Sequence, residues 1–288
     1  MIYIFTALYC EAQIFIEHYH LKKVLDNDST HFQQFTSESA QILLTITGTG
    51  EIAAACAVST VCTKRPPARQ DFLLNIGICA CPIQQNGIFF IHKLIEQASG
   101  KTYYPDILYR HEFQEAELIT GMVPWKNSGK KSAMQLHDME AAALYQAGAY
   151  YFEPHQMIFI KAVSDTGRQD NRLSNGYVKQ IIENYNHKIY SFIQQLLQIQ
   201  QAAQNVPDRL TADVQSPDSL EQWFCRLCAD LHCSKSMSDL LRKYIHYAAL
   251  AEIDYQAATQ KMYQEQKLPC KDKREGKQRF EELKQQLF

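Results

Sequence analysis

Four carboxylates stand where predicted strands end or predicted helices begin. Glu11 follows a strand and opens a helix in "TALYCEAQ". Asp138 and Glu140 lie at the start of an alanine-rich helix predicted in "LHDMEAAAL", and Asp165 closes a strand in "FIKAVSDTG". Carboxylates that converge on one crevice can serve as general acid and general base. Taken singly, Asp138 is more typical of a helix N-cap and Asp165 of a turn.

A glycine corner in "ILLTITGTGEIAAACAV", residues 42–58, joins an apolar strand to a helix through Gly48 and Gly50. The pattern is similar to the G-x-G-x-x-A fingerprint of dinucleotide-binding folds. That fingerprint follows the first strand and needs an acidic residue about 20 residues later, at the end of the next strand. Here several strands come first, the next strand has Asn75 at its predicted end, and Asp71 precedes that strand. The dinucleotide interpretation therefore fails, while a plain tight turn and a ligand-binding turn both stay open.

A second glycine turn is predicted in "NIGICA", where Gly77 would end the strand over residues 72–76. Two adjacent strands would then end in glycine turns at the same edge of one sheet. Because open α/β sheets bind ligands at the carboxyl ends of their strands, we expect a small-molecule site at this edge.

Strands and helices alternate over the first 200 residues, which predicts an α/β sheet covered on both faces. The predicted strands are 2–7, 32–36, 42–47, 72–76 and 157–164, with a hairpin of 87–95 and 101–104, and the predicted helices are 11–22, 52–62, 137–151 and 178–200. We expect an α/β domain over 1–203, a linker over 204–219 and a helical C-terminal region over 220–288. The helices of that region are predicted at 220–231, 237–249, 253–264 and 274–287.

Composition narrows the function classes. The chain has 288 residues, 46% of them hydrophobic, and a formal net charge of -2, so it offers no electrostatic case for a nucleic-acid or anionic-membrane partner. The N-terminal "MIYIFTAL" reads as a core strand and not as a signal peptide, and no apolar run reaches the roughly 20 residues of a membrane helix. Nine scattered cysteines suit a reducing compartment, so we expect a cytoplasmic protein that acts on small molecules.

Five segments follow one another along the chain in the order "ALYCEA", "TGTGEIAAA", "LLNIG", "DMEAAAL" and "KAVSDTG". Together and in this order they resemble the purine and uridine phosphorylase superfamily. Within it the chain is most similar to the methylthioadenosine/S-adenosylhomocysteine nucleosidases, over about residues 1 to 200. The specific part is "DMEAAAL" followed by "AVSD". The resemblance implies a three-layer αβα fold with a mixed central sheet, followed here by a small all-α appendage. It also implies cleavage of an N-glycosidic bond, no cofactor, no metal, and a homo-oligomer, with a dimer favoured.

The resemblance assigns roles to the carboxylates. Cleavage of the glycosidic bond leaves positive charge on the ribose and negative charge on the departing base, so the base must be protonated. By resemblance Asp165 is that acid, and Glu11 activates the attacking water. Glu140 would bind the ribose hydroxyls, and Met139 would pack against the sugar.

Further positions are substrate-binding by resemblance. Lys161 stands where nucleosidases have an arginine, which keeps a cation but loses the bidentate fork. Trp125 in "GMVPWKN" is a candidate for stacking on the purine, although an exposed or core tryptophan is about equally compatible with the pattern. The remaining implied substrate-binding residues are Gly48, Gly77, Ile78 and Ser164.

This sequence departs from the pattern of the superfamily at positions that bear on the nucleophile and on whether the site can catalyse the reaction. Phosphorolysis needs several donors around a dianion, but Asn75 stands where hexameric phosphorylases have an arginine and Ile78 where they have a hydroxyl. Water is therefore favoured over phosphate. A phosphorylase, a futalosine-type hydrolase and a non-catalytic nucleoside-binding protein stay as alternatives, because the apolar turn over 78–81 departs from the usual glycine-rich one.

The C-terminal region offers Cys225, Cys228, His232 and Cys233 in "WFCRLCADLHC". This spacing lacks a second Cys/His pair at zinc-ribbon distance, so we interpret the cysteines as small hydrophobes on a buried helix face. The closing segment 271–288 is predicted as a charged, solvated helix.

Overall fold

The structure is a computed structural model that describes residues 1–25, 31–37, 41–127, 135–167, 173–205, 217–251 and 253–287. The described residues form two compact units, Met1–Gln204 and Asn205–Phe288. The predicted linker, 204–219, lies mostly outside the described residues, so the domain limits stay predictions.

The first unit is built on one mixed sheet, as predicted. Its strands are β1 (Ile2–Thr6), β2 (Lys22–Lys23), β3 (Gln33–Thr36), β4 (Ile42–Ile46), β5 (Phe72–Ala80), β6 (Ile88–Glu96), β7 (Thr102–Tyr103), β8 (Gln114–Thr120), β9 (Leu136–Asp138) and β10 (Met157–Asp165). The order is β10-β6-β8-β9-β5-β1-β4-β3-β2, with β7 on β6, and β10 also pairs with β5. The strands β5, β9, β8, β6 and β10 therefore close into a ring, which the sequence did not indicate.

Helices cover both faces of the sheet. They are α1 (Tyr9–His18), α2 (Glu51–Lys64), α3 (Ala141–Gly148), α4 (Asn175–Glu183) and α5 (Asn186–Asn205). Alternate residues of β10 face opposite cores: Met157 and Phe159 pack with α2 and α3, whereas Ile158 and Ile160 pack with α1, α4 and α5. This two-sided burial explains why the central strands read as continuous apolar runs.

The strand β5 is longer than predicted. It runs on past Ile76 because it pairs in parallel with β10 from Leu73 to Ala80. Gly77 therefore lies inside a strand, and the predicted glycine turn there is wrong. Asn75 lies in mid-strand, where it is buried and its Nδ2 donates to the carbonyl of Phe5 at 3.0 Å.

Three predicted helices have different limits. The helix predicted at 137–151 is shorter, because residues 136–138 form β9 between β8 and β5, and α3 begins only at Ala141. The helix predicted at 178–200 is two helices, α4 and α5, with a break at residues 184–185. The helix predicted at 11–22 ends at His18, and Lys22 pairs with β3. The polar-rich strand β8 was not predicted.

The second unit contains the four predicted helices: α6 (Pro217–Asp230), α7 (Lys235–Leu250), α8 (Tyr255–Gln264) and α9 (Lys273–Leu287). The expectation that α9 is solvated holds for only part of the helix, because its Phe280, Leu283 and Leu287 are buried in the core of this unit. A Cβ on Gly276 would lie 2.0 Å from the carbonyl oxygen of Leu231, so α9 crosses the end of α6 at backbone contact. Across the described residues of both units, none of the helices combines the length and hydropathy required to span a membrane.

We expect Gly276→Ala to destabilise the second unit by about 1–3 kcal/mol, because the added methyl group must push α9 away from the backbone of α6. The matched control is Gly176→Ala in α4, where a Cβ meets no atom within 4 Å. Urea denaturation followed by circular dichroism measures both. Equal midpoints for the two variants would contradict the close crossing.

Candidate active site

One cavity of about 650 Å³, including its open mouth, lies in the first unit. Of the residues that line it, seven were predicted from the sequence: Glu11, Ile78, Trp125, Met139, Glu140, Ser164 and Asp165. The wall is completed by Ala7, Leu8, Thr49, Cys79, Ala80, Pro124, His137 and Asp138. Gly48, Gly77 and Lys161, which were also predicted, do not line it.

Strand ends assemble this cavity. Residues 7–11 follow β1, Thr49 follows β4, and Ser164 and Asp165 end β10. Because β1, β4, β5 and β10 run parallel to one another, their carboxyl ends meet at the same edge of the sheet. The cavity lies at the carboxyl ends of these strands, the edge of the sheet at which a small-molecule site was expected.

Glu11 is held by three backbone N–H groups. Its Oε2 accepts hydrogen bonds from Ala7 at 2.8 Å and Leu8 at 2.9 Å, and its Oε1 accepts one from Ile78 at 3.0 Å. Burial raises the pKa of Glu11, while Lys161 and the three N–H groups oppose that rise. A Cβ on Gly77 would lie 2.9 Å from Glu11 Oε1, so glycine is needed there for the carboxylate to fit.

The glycine corner after β4 holds Glu140. Gly48 and Gly50 have φ values of 79° and 99°, in the region that favours glycine, and Gly50 N–H donates to Glu140 Oε1 at 2.8 Å. Burial, and then the charge of Asp138, raise the pKa of Glu140 to about 7. Glu140 is the N-cap residue of α3 and not part of its first turn as predicted.

Lys161 is buried and paired with Asp138. Its Nζ lies 2.9 Å from Asp138 Oδ2, and both side chains are nearly inaccessible to solvent. Burial alone would lower the pKa of Lys161, but Asp138, Glu140 and Glu11 together raise it. Asp138 Oδ1 accepts a further hydrogen bond from Thr120 Oγ1 at 2.6 Å. The predicted contact of Lys161 with substrate stays a prediction.

Asp165 stands at the half-exposed end of β10. Its Oδ2 accepts a hydrogen bond from Ser164 Oγ at 2.7 Å, and its Oδ1 accepts one from Gly167 N–H at 2.7 Å. Ser164 is buried, its hydroxyl also lies 3.1 Å from the carbonyl oxygen of Cys79, and its own carbonyl accepts from Tyr177. Ser164 therefore orients the carboxylate of Asp165.

Trp125 is stacked on His137, with ring centroids 4.2 Å apart and planes inclined by 7°. Burial lowers the pKa of His137 to about 4, so the imidazole is neutral at physiological pH. A Cβ on Gly167 would lie 2.4 Å from the Trp125 ring, which fixes the indole against the chain after β10. Two flat, uncharged rings thus form one wall of the cavity.

Several solved structures are similar to this chain. A methylthioadenosine/S-adenosylhomocysteine nucleosidase from Neisseria meningitidis, in complex with methylthio-immucillin-A, has a TM-score of 0.56 and 14% identity, over 67% of this chain and 98% of that chain. A futalosine hydrolase mutant from Helicobacter pylori has a TM-score of 0.54 and 9% identity, over 67% and 98%. An S-adenosylhomocysteine nucleosidase from Streptococcus pyogenes has a TM-score of 0.51 and 18% identity, over 72% and 97%.

The first unit has the nucleosidase fold. At the level of the fold, this confirms the resemblance inferred from the sequence. No family model matches the chain, and no curated protein does either. The solved structures are matched almost along their whole length, whereas about a third of this chain has no counterpart in them, which is consistent with an added C-terminal region.

Several residues in and around the cavity of this nucleosidase fold were not predicted from the sequence. Asp138 was noted as one of four carboxylates that could converge and as a helix N-cap, but its pairing with Lys161 was not predicted; its Oδ2 accepts from Ala141 N–H at 2.9 Å and lies 2.9 Å from Lys161 Nζ. His137 and Thr120 carried no local signal, because their contacts depend on strand pairing. Cys79 lines the cavity from within β5, a strand that was predicted to end at residue 76.

Within the described parts of the chain, no group of three or more His, Cys, Asp or Glu side chains could hold a metal ion. All nine cysteines lie in those parts and are free thiols. Cys225 is exposed, so its interpretation as part of a buried helix face is wrong, whereas Cys228 and Cys233 are half-buried.

The raised pKa of Glu140 has a consequence for stability. An unfolded glutamate has a pKa of 4.5, so the folded protein holds this proton more tightly, and the resulting stabilisation is lost as the pH rises through about 7. Glu140→Gln cannot titrate and serves as the reference. Relative to it, we expect the free energy of unfolding of the wild type to fall by on the order of 3 kcal/mol between pH 4.5 and about pH 7.

Chemical denaturation over a pH series measures this difference. The control is Glu17→Gln on α1, whose carboxylate is about half exposed and bonded to Lys179, and its difference from the wild type should stay nearly constant. Parallel pH profiles for the wild type and Glu140→Gln would contradict the raised pKa.

Proposed function

We propose that the protein hydrolyses the N-glycosidic bond of a purine nucleoside or a 5'-modified nucleoside. The observation that carries this proposal is that Glu11, Glu140 and Asp165 line one cavity in a unit with the nucleosidase fold. The three carboxylates come from segments far apart in the sequence, so their convergence is not explained by local turn or capping roles. The neighbouring structures include a nucleosidase with methylthio-immucillin-A and a futalosine hydrolase, which supports nucleoside chemistry.

Asp165 is proposed as the acid that protonates the departing base. Its position suits this role because it is the half-exposed carboxylate at the end of β10, oriented by Ser164 and Gly167. Glu11 is proposed to orient and deprotonate the attacking water. Burial, which raises the pKa of Glu11, makes it a stronger base than an exposed carboxylate once it is ionised.

Glu140 and Met139 are proposed to bind the ribose. The ionised Glu140 can accept hydrogen bonds from two hydroxyl groups, and Gly50 N–H already fixes one of its oxygens. Because its pKa is about 7, binding of the ribose hydroxyls should strengthen as the pH rises through neutrality. Met139 lines the same cavity and offers a soft apolar surface to the sugar.

The purine is proposed to stack on the outer face of the Trp125–His137 ring pair, because the facing sides of the two rings already contact each other. These rings are flat, parallel and uncharged at neutral pH, which suits the face of a heterocyclic base. Pro124 and Ile78 add apolar surface nearby in the cavity wall. Activity on a panel of candidate nucleosides would identify the base and the 5' substituent.

Water is favoured over phosphate as the nucleophile. Among the described residues, no lysine or arginine lines the cavity, whereas binding of a phosphate dianion calls for cationic donors. Ile78 presents an apolar side chain where phosphorylases are expected to present a hydroxyl, and Asn75 is buried in mid-strand away from the cavity. The described lining of the cavity therefore favours water as the nucleophile.

The test is base release from purine nucleosides, methylthioadenosine, S-adenosylhomocysteine and futalosine, each with and without phosphate. We expect release from at least one substrate at a rate independent of phosphate. Asp165→Asn should slow that release by roughly 10²- to 10⁴-fold with little change in stability, because the amide cannot deliver a proton. Chromatography of the free base measures both rates.

The control for this variant is Asp106→Asn, a change of the same type at an exposed position outside the cavity. A fully active Asp165→Asn would reject the role of general acid. Release that requires phosphate would point to a phosphorylase, and nucleoside binding without any release would point to a non-catalytic binding protein.

The protein is further proposed to be a homodimer in the cytoplasm. The free state of all nine cysteines is compatible with a reducing compartment. For the dimer, Ile52 and Tyr150 are 74% and 87% exposed and flank a second, open cavity of the first unit, so they offer an apolar surface.

Sedimentation should therefore give twice the mass of one chain for the wild type. We expect Ile52→Glu combined with Tyr150→Glu to give the mass of one chain, because two charges cannot be buried at an apolar interface. Leu108→Glu, at another exposed apolar residue, is the control and should leave the mass unchanged. A wild type with the mass of a single chain would contradict the dimer.

A further inference from the structure

We propose that Cys228 and Cys233 form a redox-active dithiol, which a small-molecule disulfide such as oxidised glutathione converts into an intramolecular disulfide bond. This bond would join the last turn of α6 covalently to the turn that precedes α7. The proposal concerns the second unit alone and does not rest on the proposed nucleosidase activity.

The end of α6 brings the two cysteines together. The N–H of Cys233 donates to the carbonyl of Cys228 at 2.9 Å, and the N–H of His232 donates to the carbonyl of Ala229 at 3.0 Å. His232 has a φ of 50°, in the left-handed region. These are the features of a Schellman motif, in which the side chains at the positions of Cys228 and Cys233 frequently contact each other. The backbone of the helix end therefore sets the pairing of the two thiols.

The two thiols are in direct contact. A hydrogen bond joins the Cys228 thiol to the Cys233 thiol, and the side chain of Ser238 also bonds to Cys233. Both cysteines are half-buried, so a small reagent can reach them, whereas Cys270 is buried. Adjacent thiols that remain accessible are the arrangement that thiol–disulfide exchange requires.

Two neighbouring cysteines are placed differently. Cys225 precedes Cys228 by three residues on α6, a spacing at which Cβ atoms stand about 5–6 Å apart, whereas a disulfide needs Cβ atoms about 3.5–4.5 Å apart. Cys270 is buried, and its Sγ donates to the carbonyl of Lys267 at 3.8 Å. Cys233 is therefore the partner that the structure favours for Cys228.

Exchange with oxidised glutathione proceeds in two steps. The thiolate of Cys228 attacks one sulfur of the glutathione disulfide, forms a mixed disulfide and releases one glutathione, which takes up the proton that Cys228 lost. The sulfur of Cys233 then attacks the sulfur of Cys228, and its proton passes to the second departing glutathione. Together the two cysteines lose two electrons and two protons, which reduce one glutathione disulfide to two glutathione thiols.

The environment of the thiols sets the order of these steps. Burial, and then the charge and the hydrogen bond of Cys228, raise the pKa of Cys233 to about 12, so Cys233 keeps its proton at neutral pH. The first attack is therefore assigned to Cys228. The second step requires Cys233 to lose its proton, so it should accelerate as the pH rises. It is favoured by proximity, because the two sulfurs are already in contact.

Trypsin isolates this pair from the other cysteines of the chain. It cleaves after Arg226 and Lys235, so both cysteines lie on one peptide, residues 227–235. The full-length protein is incubated with mixtures of reduced and oxidised glutathione, the free thiols are alkylated, and the tryptic peptides are analysed by mass spectrometry. The disulfide makes the peptide lighter by two hydrogen atoms and prevents its alkylation.

We expect the wild type to form the disulfide within the peptide 227–235, and an excess of reduced glutathione to reverse it. Cys233→Ser should instead accumulate a glutathione adduct on Cys228, at least about tenfold more than the wild type at the same pH, because its second step is blocked. Cys225→Ser, a change of the same type one turn earlier, is the matched control and should behave like the wild type. Two free thiols in the wild-type peptide when Cys225 already carries glutathione would overturn the proposal, and so would a bond between Cys233 and Cys270.

The cross-link itself is tested by thermal unfolding of the second unit, followed by circular dichroism. A disulfide that closes residues 228–233 into a ring reduces the freedom of the unfolded chain, so the oxidised wild type should melt at least about 3 °C higher than the reduced one. Cys228→Ser should melt at the same temperature after either treatment. An oxidised wild type that melts no higher than the reduced one would contradict the cross-link, because the bond would then strain the turn that it closes.

Discussion

The ammonium group of Lys161 attracts three buried carboxylates, those of Glu11, Asp138 and Glu140, and the geometry of the cavity depends on how this excess of negative charge is accommodated. Nearly all of Lys161 is removed from solvent, and a charge in such a place is retained only when partners compensate its lost hydration. Asp138 neutralises it directly at 2.9 Å. The other two carboxylates must then be stabilised by other means.

Glu11 and Glu140 meet that requirement differently. Glu11 accepts three backbone hydrogen bonds, which favour its ionised form against the effect of burial. Glu140 accepts one, from Gly50, and the charge of Asp138 adds to its desolvation, so its pKa rises to about 7. One carboxyl group that exchanges its proton near neutral pH thus lies beside one that is anchored by the backbone. Acid–base chemistry in proteins is built on such pairs of unlike carboxyl groups.

The residues that the sequence could identify are those whose signal is local. Glu11, Glu140 and Asp165 each belong to a short motif that also fixes the end of a strand or the start of a helix, and all three line the cavity. The glycine corner was identified correctly as a turn, but its connection to Glu140 spans 90 residues and leaves no local trace. The strand β9 has only three residues, and its pairing with β5 and β8 decides where Asp138 lies. Long-range pairing of short strands has no periodicity to detect, which is why the ring of strands and the shortened α3 escaped the prediction.

The replacement of an expected arginine by Lys161 is consistent with the partners of Asp138. An arginine fork could bond both carboxylate oxygens at once, whereas an ammonium group is a compact charge suited to one. Here the second oxygen is bonded by Thr120 Oγ1 at 2.6 Å, and the Thr120 hydroxyl in turn accepts from Ala142 N–H at 3.0 Å. Thr120 ends β8 and Ala142 lies in α3, so the Thr120 hydroxyl also ties the start of α3 to the sheet. Because Glu140 is the N-cap residue of the same helix, the position of its carboxylate depends on a hydrogen-bond chain that begins at Lys161.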